Sequence, residues 1–270
     1  MLRALAERGI RADLVTGTSV GAINAAGYVG RPTMEGIYLA QSIWRGLSTD
    51  DIFPRGRLHG SWRFVEKREA VFPISGLRRV IEGFLRFELL EEALIPLTVV
   101  ASRVADGAEQ WFTAGPAVDA ILASAALPAV FSAVEASGAK FIDGGLMNNV
   151  PITPALAAGA RRIFVLLCGA INNPMTETRR PFEALLSAFD LALIARLRRD
   201  LASIPPDVDV IVFEQPGLQH IDWQDFSHTE ELIESGYLAA RALLDRYQEI
   251  EAADAVGDRG TVMARFLHRT

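Results

Sequence analysis

The segment "DLVTGTSVGAINAAG" (residues 13–27) passes from an apolar stretch into a run of small residues, with Gly17-Thr18-Ser19-Val20-Gly21 at the junction. A serine flanked by glycines two positions away on each side, where a strand turns into a helix, has the pattern of a nucleophile elbow. The sharp turn lifts the hydroxyl above the sheet edge, and a Cβ at Gly17 or Gly21 is expected to meet neighbouring backbone. The helix that starts at Val20 would aim free N–H groups and positive potential at a developing oxyanion. Ser19 also fits a plainer role, because serine is a preferred helix N-cap. G-x-S-x-G alone arises by chance in roughly one chain in ten of this length. Its placement before a helix of small residues is what favours the nucleophile.

A serine nucleophile needs a base, and histidine is the usual one. Of His59, His220, His228 and His268, only His220, in "EQPGLQHIDW", follows a strand at a place a triad histidine could take. A surface-loop histidine is an equal reading of it. The other candidate base is Asp143 in "FIDGGLMNNVP", where Gly144-Gly145 lets the chain turn sharply at a strand end. Asp-Gly-Gly is commonly just a turn. Catalytic groups nevertheless collect at the carboxyl ends of parallel strands, where Ser19 would also stand. A carboxyl near ~3.9 in water is a weak base, and burial in an apolar site strengthens it.

The elements that must hold these residues follow from hydropathy. "DLVTG", "LTVVA", "KFIDGG", "RIFVLLCG" and "DVIVFE" read as strands, and "LVTG", "LTVVA" and "IFVLLC" are continuously apolar as strands covered on both faces are. "LTVVASRVADGAEQWF" reads as two strands joined at Asp106-Gly107. Helices are expected at 2–9, 20–30, 32–47, 77–85, 152–159 and 181–203. A last helix is expected to open with Ser227 and Glu230 in capping-box spacing and to bury Leu232, Ile233, Gly236, Tyr237, Ala240 and Leu244. Alternating strands and helices predict an α/β fold with a mainly parallel central sheet flanked by helices.

Composition narrows the function classes. Half of the 270 residues are apolar and 22% charged, which describes a globular chain with a sizeable core. A net charge of −6 gives nucleic acid no electrostatic footing. Cys168, the single cysteine, is expected in the core and permits no internal disulfide. No apolar run reaches the length of a membrane span, and no signal peptide is expected where Met1 leads into an amphipathic helix. No metal site is expected, because Asp222 and Asp225 lack ligand-like neighbours. Arg55, Arg57, Trp62, Arg63, Phe64, Lys67 and Arg68 interleave basic and aromatic residues in the irregular stretch 48–75. They suit either a lid touching lipid headgroups or a solvated loop with packed aromatics.

The combination of "LRALAERGIRADLVTGTSVGAINA", "ASAALPAVF" and "FIDGGLMNNVP", with a looser match in "DFSHTEELIESGY", resembles the patatin-like phospholipase family in content and order. The resemblance implies a three-layer α/β fold and hydrolysis of phospholipid or other lipid esters through an acyl-enzyme. Carried over, Ser19 is the nucleophile and Asp143 the proton acceptor, with Gly17, Val20, Gly21, Gly144 and Gly145 shaping the elbow and the oxyanion support. No cofactor is implied. Ser124 and Pro128, in the third shared motif, would support the site without taking part in the chemistry. The family's first strand and glycine-rich oxyanion loop have no counterpart upstream of Ser19. The chain is therefore expected to lack a strand, to be poorly soluble and to be nearly inactive until that segment is restored. One domain is expected over 1–249, with a motif-bearing core at 1–168 and a tail at 250–270. The implied partner is a lipid or ester, met in the cytoplasm with peripheral membrane contact, and the missing segment leaves targeting open. A small-ester or thioester hydrolase, and an inactive relic serving as a binding module, are the alternatives.

Overall fold

In the computed structural model, β2 (Leu97–Arg103) is the strand around which the rest is arranged, with Val99, Val100 and Ala101 fully buried. The structure describes residues 1–54, 71–169, 171, 181–215, 221 and 224–255, with backbone alone at 181–187, 189, 190 and 248–255. β1 (Val15–Thr18) runs parallel to β2 over Leu97–Val100. β3 (Glu109–Phe112) returns antiparallel after the turn at Gly107, whose φ is +68°. β5 (Ala139–Asp143) also pairs antiparallel with β2, over Ala101–Arg103, and β4 (Val134–Ala136) pairs with β5.

The register decides where the chemistry can be. Val99 and Val100 pair with both β1 and β3, while Ala101 and Ser102 pair with both β3 and β5. Because a residue has two edges, β1 and β5 must share the edge of β2 opposite β3. They approach each other head-on. β1 stops at Thr18 opposite Val100, and β5 stops at Asp143 opposite Ala101.

The sheet is thus mixed, not mainly parallel as the alternation of elements suggests. The physical reason lies in the β4–β5 hairpin, whose Ser137-Gly138 turn has positive φ at both residues. Such a turn reverses the chain within two residues and sets β5 antiparallel to β4, and β5 is also the strand that pairs antiparallel with β2.

Helices cover the sheet. α2 (Val20–Gly30) and α6 (Ala117–Ser124) pack small residues on it, among them Ala22, Ala26, Ala120 and Ala123. α3 (Met34–Gly46) starts at Thr33, whose side chain accepts the Gly36 N–H at 3.2 Å. α4 (Thr49–Ile52) and α5 (Ser75–Phe84) close that side. A second sheet pairs β6 (Arg162–Leu167) in parallel with β7 (Asp209–Glu214). α1 (Leu2–Glu7) and α10 (Thr229–Ala255) lie over one of its faces, through Leu5, Phe213, Tyr237 and Leu244. α8 (Ile152–Ala157) and α9 (Pro181–Ala202) join the cluster of Ile152, Val165 and Leu197. A short helix, α7 (Gly145–Asn148), follows β5.

Two local expectations change. The last helix begins at Thr229, and Asp225, not Ser227, caps the preceding turn by accepting the Ser227 N–H at 2.8 Å. Glu230 is drawn instead to Arg45 on α3. Cys168 lies one residue past the end of β6 and is exposed; the apolar run it belongs to outlasts the strand. Among the described residues no helix is long and apolar enough to cross a membrane.

Candidate active site

Ser19 has φ 55° and ψ −128°, a conformation that a serine adopts only when its surroundings hold it there. It occupies the N-cap position of α2, yet its side chain makes no capping hydrogen bond. Its Oγ donates instead to Oδ2 of Asp143 at 2.6 Å. Of the two roles the sequence leaves open for this hydroxyl, capping is not the one its side chain fills. Val20 and Gly21 are the first two helical residues, whose N–H groups have no carbonyl one turn back within the helix.

The turn at Ser19 is built on close approach. A Cβ at Gly17 would stand 2.7 Å from Ala22 Cα and 2.8 Å from the Gly21 oxygen, so only glycine lets α2 lie this near β1. Gly21 departs from expectation. A Cβ there would meet nothing within 4 Å, because Gly21 borders the open cavity beside Ser19 and not the sheet. Gly17→Ala is therefore expected to cost about 1–3 kcal/mol of stability, and Gly21→Ala no more than about 0.5 kcal/mol. Urea midpoints of the two variants check this, and equal losses would contradict the packing described.

Asp143 is 3% exposed. Its Oδ1 accepts the Gly145 N–H at 2.7 Å, and its Oδ2 accepts the Ser19 hydroxyl. Burial pushes the carboxyl up to about 6, against the downward pull of those two hydrogen bonds. Its backbone is pinned as well. The Asp143 N–H donates to the Ala126 oxygen at 2.9 Å, and Ser102 Oγ donates to the Asp143 oxygen at 2.9 Å. A Cβ at Gly144 would fall against the Val100 carbonyl oxygen, so the turn after Asp143 needs glycine. Gly145 contributes its N–H and is fully enclosed.

Asn148 and Ser102, which nothing in the sequence singles out, tie this turn to its neighbours. Asn148 Nδ2 donates to Glu109 Oε1 at 2.7 Å and to Thr153 Oγ1 at 2.9 Å. The Asn148 carbonyl accepts the Thr18 hydroxyl at 2.8 Å, joining the loop after Asp143 to the residue before Ser19. Nothing in "GGLMNNVP" sets Asn148 apart from Asn149 without the fold. Of the histidines, His228 is exposed beside Asp225 and Glu231 and takes no part in the Ser19–Asp143 pair. His59, His220 and His268 lie outside the described residues, as does the basic and aromatic stretch 55–70. Among the described residues no three His, Cys, Asp or Glu side chains gather as metal ligands would.

A cavity of about 1860 Å³ opens beside Ser19 and runs between the edges of β1 and β6. Val20 and Leu146, next to Ser19 and to the Asp143 turn in the chain, keep their side chains exposed. Of these residues, Ser19 and Val20 line the cavity.

Residues 1–156 match the Patatin-like phospholipase family, a stretch that holds both Ser19 and Asp143 and more than half of the chain. The chain belongs to the patatin-like phospholipase family. Lysophospholipase NTE1 of Mycosarcoma maydis is 27% identical to this patatin-like chain over 181 residues, covering 64% of it and 9% of the relative. An uncharacterized NTE family protein of Mycobacterium bovis is 29% identical over 182 residues, covering 66% and 47%. Another, from Mycobacterium tuberculosis, is 26% identical over 277 residues, covering 91% and 44%. The patatin-like chain thus spans less than half the length of these curated relatives. Among solved structures, VipD from Legionella pneumophila aligns with a TM-score of 0.43 at 14% identity, covering 91% of this chain and 63% of that one. The family carries lipid hydrolysis as its general activity and an α/β fold with a mixed sheet, as described above.

Proposed function

We propose that this chain is a serine acyl hydrolase acting on phospholipid or other lipid esters through a Ser19–Asp143 dyad. The observation that carries the reading is the 2.6 Å hydrogen bond between the Ser19 hydroxyl and a buried carboxyl raised to about 6. Such a carboxyl is mostly ionised at neutral pH and still basic enough to accept a proton in the transition state. Ser19 Oγ attacks the ester carbonyl carbon as its proton passes to Asp143. The carbonyl electron pair moves to oxygen, which faces the N–H groups of Val20 and Gly21. When that pair returns, the bond to the alcohol breaks, and Asp143 hands its proton to the departing oxygen. A water then attacks the acyl carbon, giving its proton to Asp143; as the bond to Ser19 Oγ breaks, Asp143 returns that proton to Oγ, and the acid leaves.

The exposed Val20 and Leu146 side chains support an apolar acyl group as the substrate part nearest the dyad. The name of the Mycosarcoma maydis relative, a lysophospholipase, points the same way. The reading is tested by offering lysophosphatidylcholine micelles and a soluble short-chain ester side by side and measuring released acid. Faster release from the micelles is expected. Turnover of the short ester alone would favour a small-ester hydrolase, and turnover of neither a binding role.

β1 pairs only with β2, and β6 only with β7, among the described residues, and the cavity lies between their remaining edges. Backbone groups on a strand edge are costly when buried without partners. A variant with an N-terminal extension supplying a parallel strand and a glycine-rich turn is therefore expected to unfold at higher urea and to turn over faster. No change in either would mean that the gap needs no strand and that Val20 and Gly21 suffice as oxyanion donors.

A further inference from the structure

Three segments that are distant in sequence meet at one buried serine. Ser124, the last residue of α6, is fully buried. Its Oγ accepts the Ser19 N–H at 2.8 Å and donates to the Val100 oxygen at 2.5 Å. Its own carbonyl accepts the Gly144 N–H at 3.1 Å. One residue therefore holds the peptide of the serine and the peptide that follows the aspartate, and anchors both to β2.

We infer that Ser124 is the positioning residue of the dyad, fixing the distance between Ser19 Oγ and Asp143 by gripping both turns at once; this rests on the dyad reading above. Ser19 has a positive φ, which the backbone leaves unless something holds it. Its N–H is part of the same strained turn, so a bond there opposes relaxation directly. The hydroxyl suits the task because it accepts and donates at the same time. An alanine at this position would leave the Ser19 N–H and the Val100 oxygen without that partner. The carbonyl contact to Gly144 would survive, so the aspartate half would stay in place while the serine half loosened. The effect should then fall on the chemical step more than on binding.

The test uses an alkyl fluorophosphonate, which reports serine reactivity whatever the natural substrate is. Ser124→Ala is expected to lower the second-order labelling rate and kcat for a short-chain ester by about 10–100-fold. KM should move by less than about threefold, the pattern of a lost transition-state arrangement. Ser124→Cys keeps the shape with a weaker donor and acceptor, and its rate should fall between wild type and alanine. Labelling of a cooperatively folded Ser124→Ala protein at the wild-type rate would overturn the inference. If that variant does not fold, Ser124→Cys carries the test, and a wild-type rate from it would overturn the inference equally. Ser19→Ala run alongside separates the two claims. Continued labelling there removes the dyad reading itself, whereas an inert Ser19→Ala beside an unaffected Ser124→Ala removes only the clamp.

Discussion

Ser19→Ala and Asp143→Asn are each expected to lower ester hydrolysis by about 10⁴-fold or more, because residues that act as one catalytic unit fail together. Ser19→Ala removes the attacking oxygen. Asp143→Asn keeps the shape of the carboxyl but cannot take the proton. The double variant should be little worse than either single one, since neither half works without the other. His220→Ala and His228→Ala should keep most of the activity. His228 stands exposed beside two carboxylates, Asp225 and Glu231. Rates in all five proteins, each checked for folding, decide the matter. A loss in His220→Ala as deep as that in Ser19→Ala would replace the dyad with a triad.

The second large effect is on stability, and its direction is opposite. Below pH 3.8 the Asp143 carboxyl is protonated in both folded and unfolded chains and makes no difference. As pH rises from 3.8 to about 6, the unfolded chain ionises first, because burial holds the folded carboxyl neutral. Stability therefore falls through that window. Above about 6 the loss is complete, at about 3 kcal/mol for a shift of this size. Asp143→Asn carries no such penalty. Its amide can accept the Gly145 N–H and donate to Ser19 Oγ, preserving both contacts in neutral form. The inactive variant should thus be the more stable protein at pH 8, with the gap closing toward pH 4. Urea midpoints across pH measure it, and a gap that is constant or of the other sign would contradict the buried-carboxyl account. The same ionisation should appear in catalysis as kcat/KM rising through about pH 6 to a plateau.

How much of this was legible beforehand depends on the range of the forces involved. The strand-to-helix turn at Ser19 was readable because its cause is local: a strand, a turn crowded by backbone at Gly17, and a helix of small residues lie close together in the chain. The hairpin at Asp106-Gly107 and the buried stripe of Tyr237, Ala240 and Leu244 were readable for the same reason. The direction of β5 was not. It depends on the long-range pairing of β5 with β2 and on the Ser137-Gly138 hairpin, and neither turn residue alone demands a hairpin. That direction matters, since Ser19 and Asp143 meet where two strand ends abut along one edge of β2, not along the carboxyl edge of a parallel sheet. The resemblance points to Ser19 and Asp143, whose side chains the structure brings to 2.6 Å, while the topological argument places them along a parallel edge that does not exist here. Gly21 carried the opposite error. Motif symmetry suggested a crowded position, and the structure leaves it open to the cavity. Asn148 and Ser102 stayed hidden because their contacts span tens of residues, from Ser102 to Asp143 and from Asn148 to Glu109.

The most direct test of the Ser19–Asp143 assignment is the location and rate of covalent capture by an alkyl fluorophosphonate. Peptide mass mapping of the labelled protein should place the adduct on Ser19 and on no other residue. Capture should proceed at the wild-type rate in His220→Ala and be lost, on the same time scale, in Asp143→Asn. An adduct on a different residue, or undiminished capture in Asp143→Asn beside abolished capture in His220→Ala, would contradict the account.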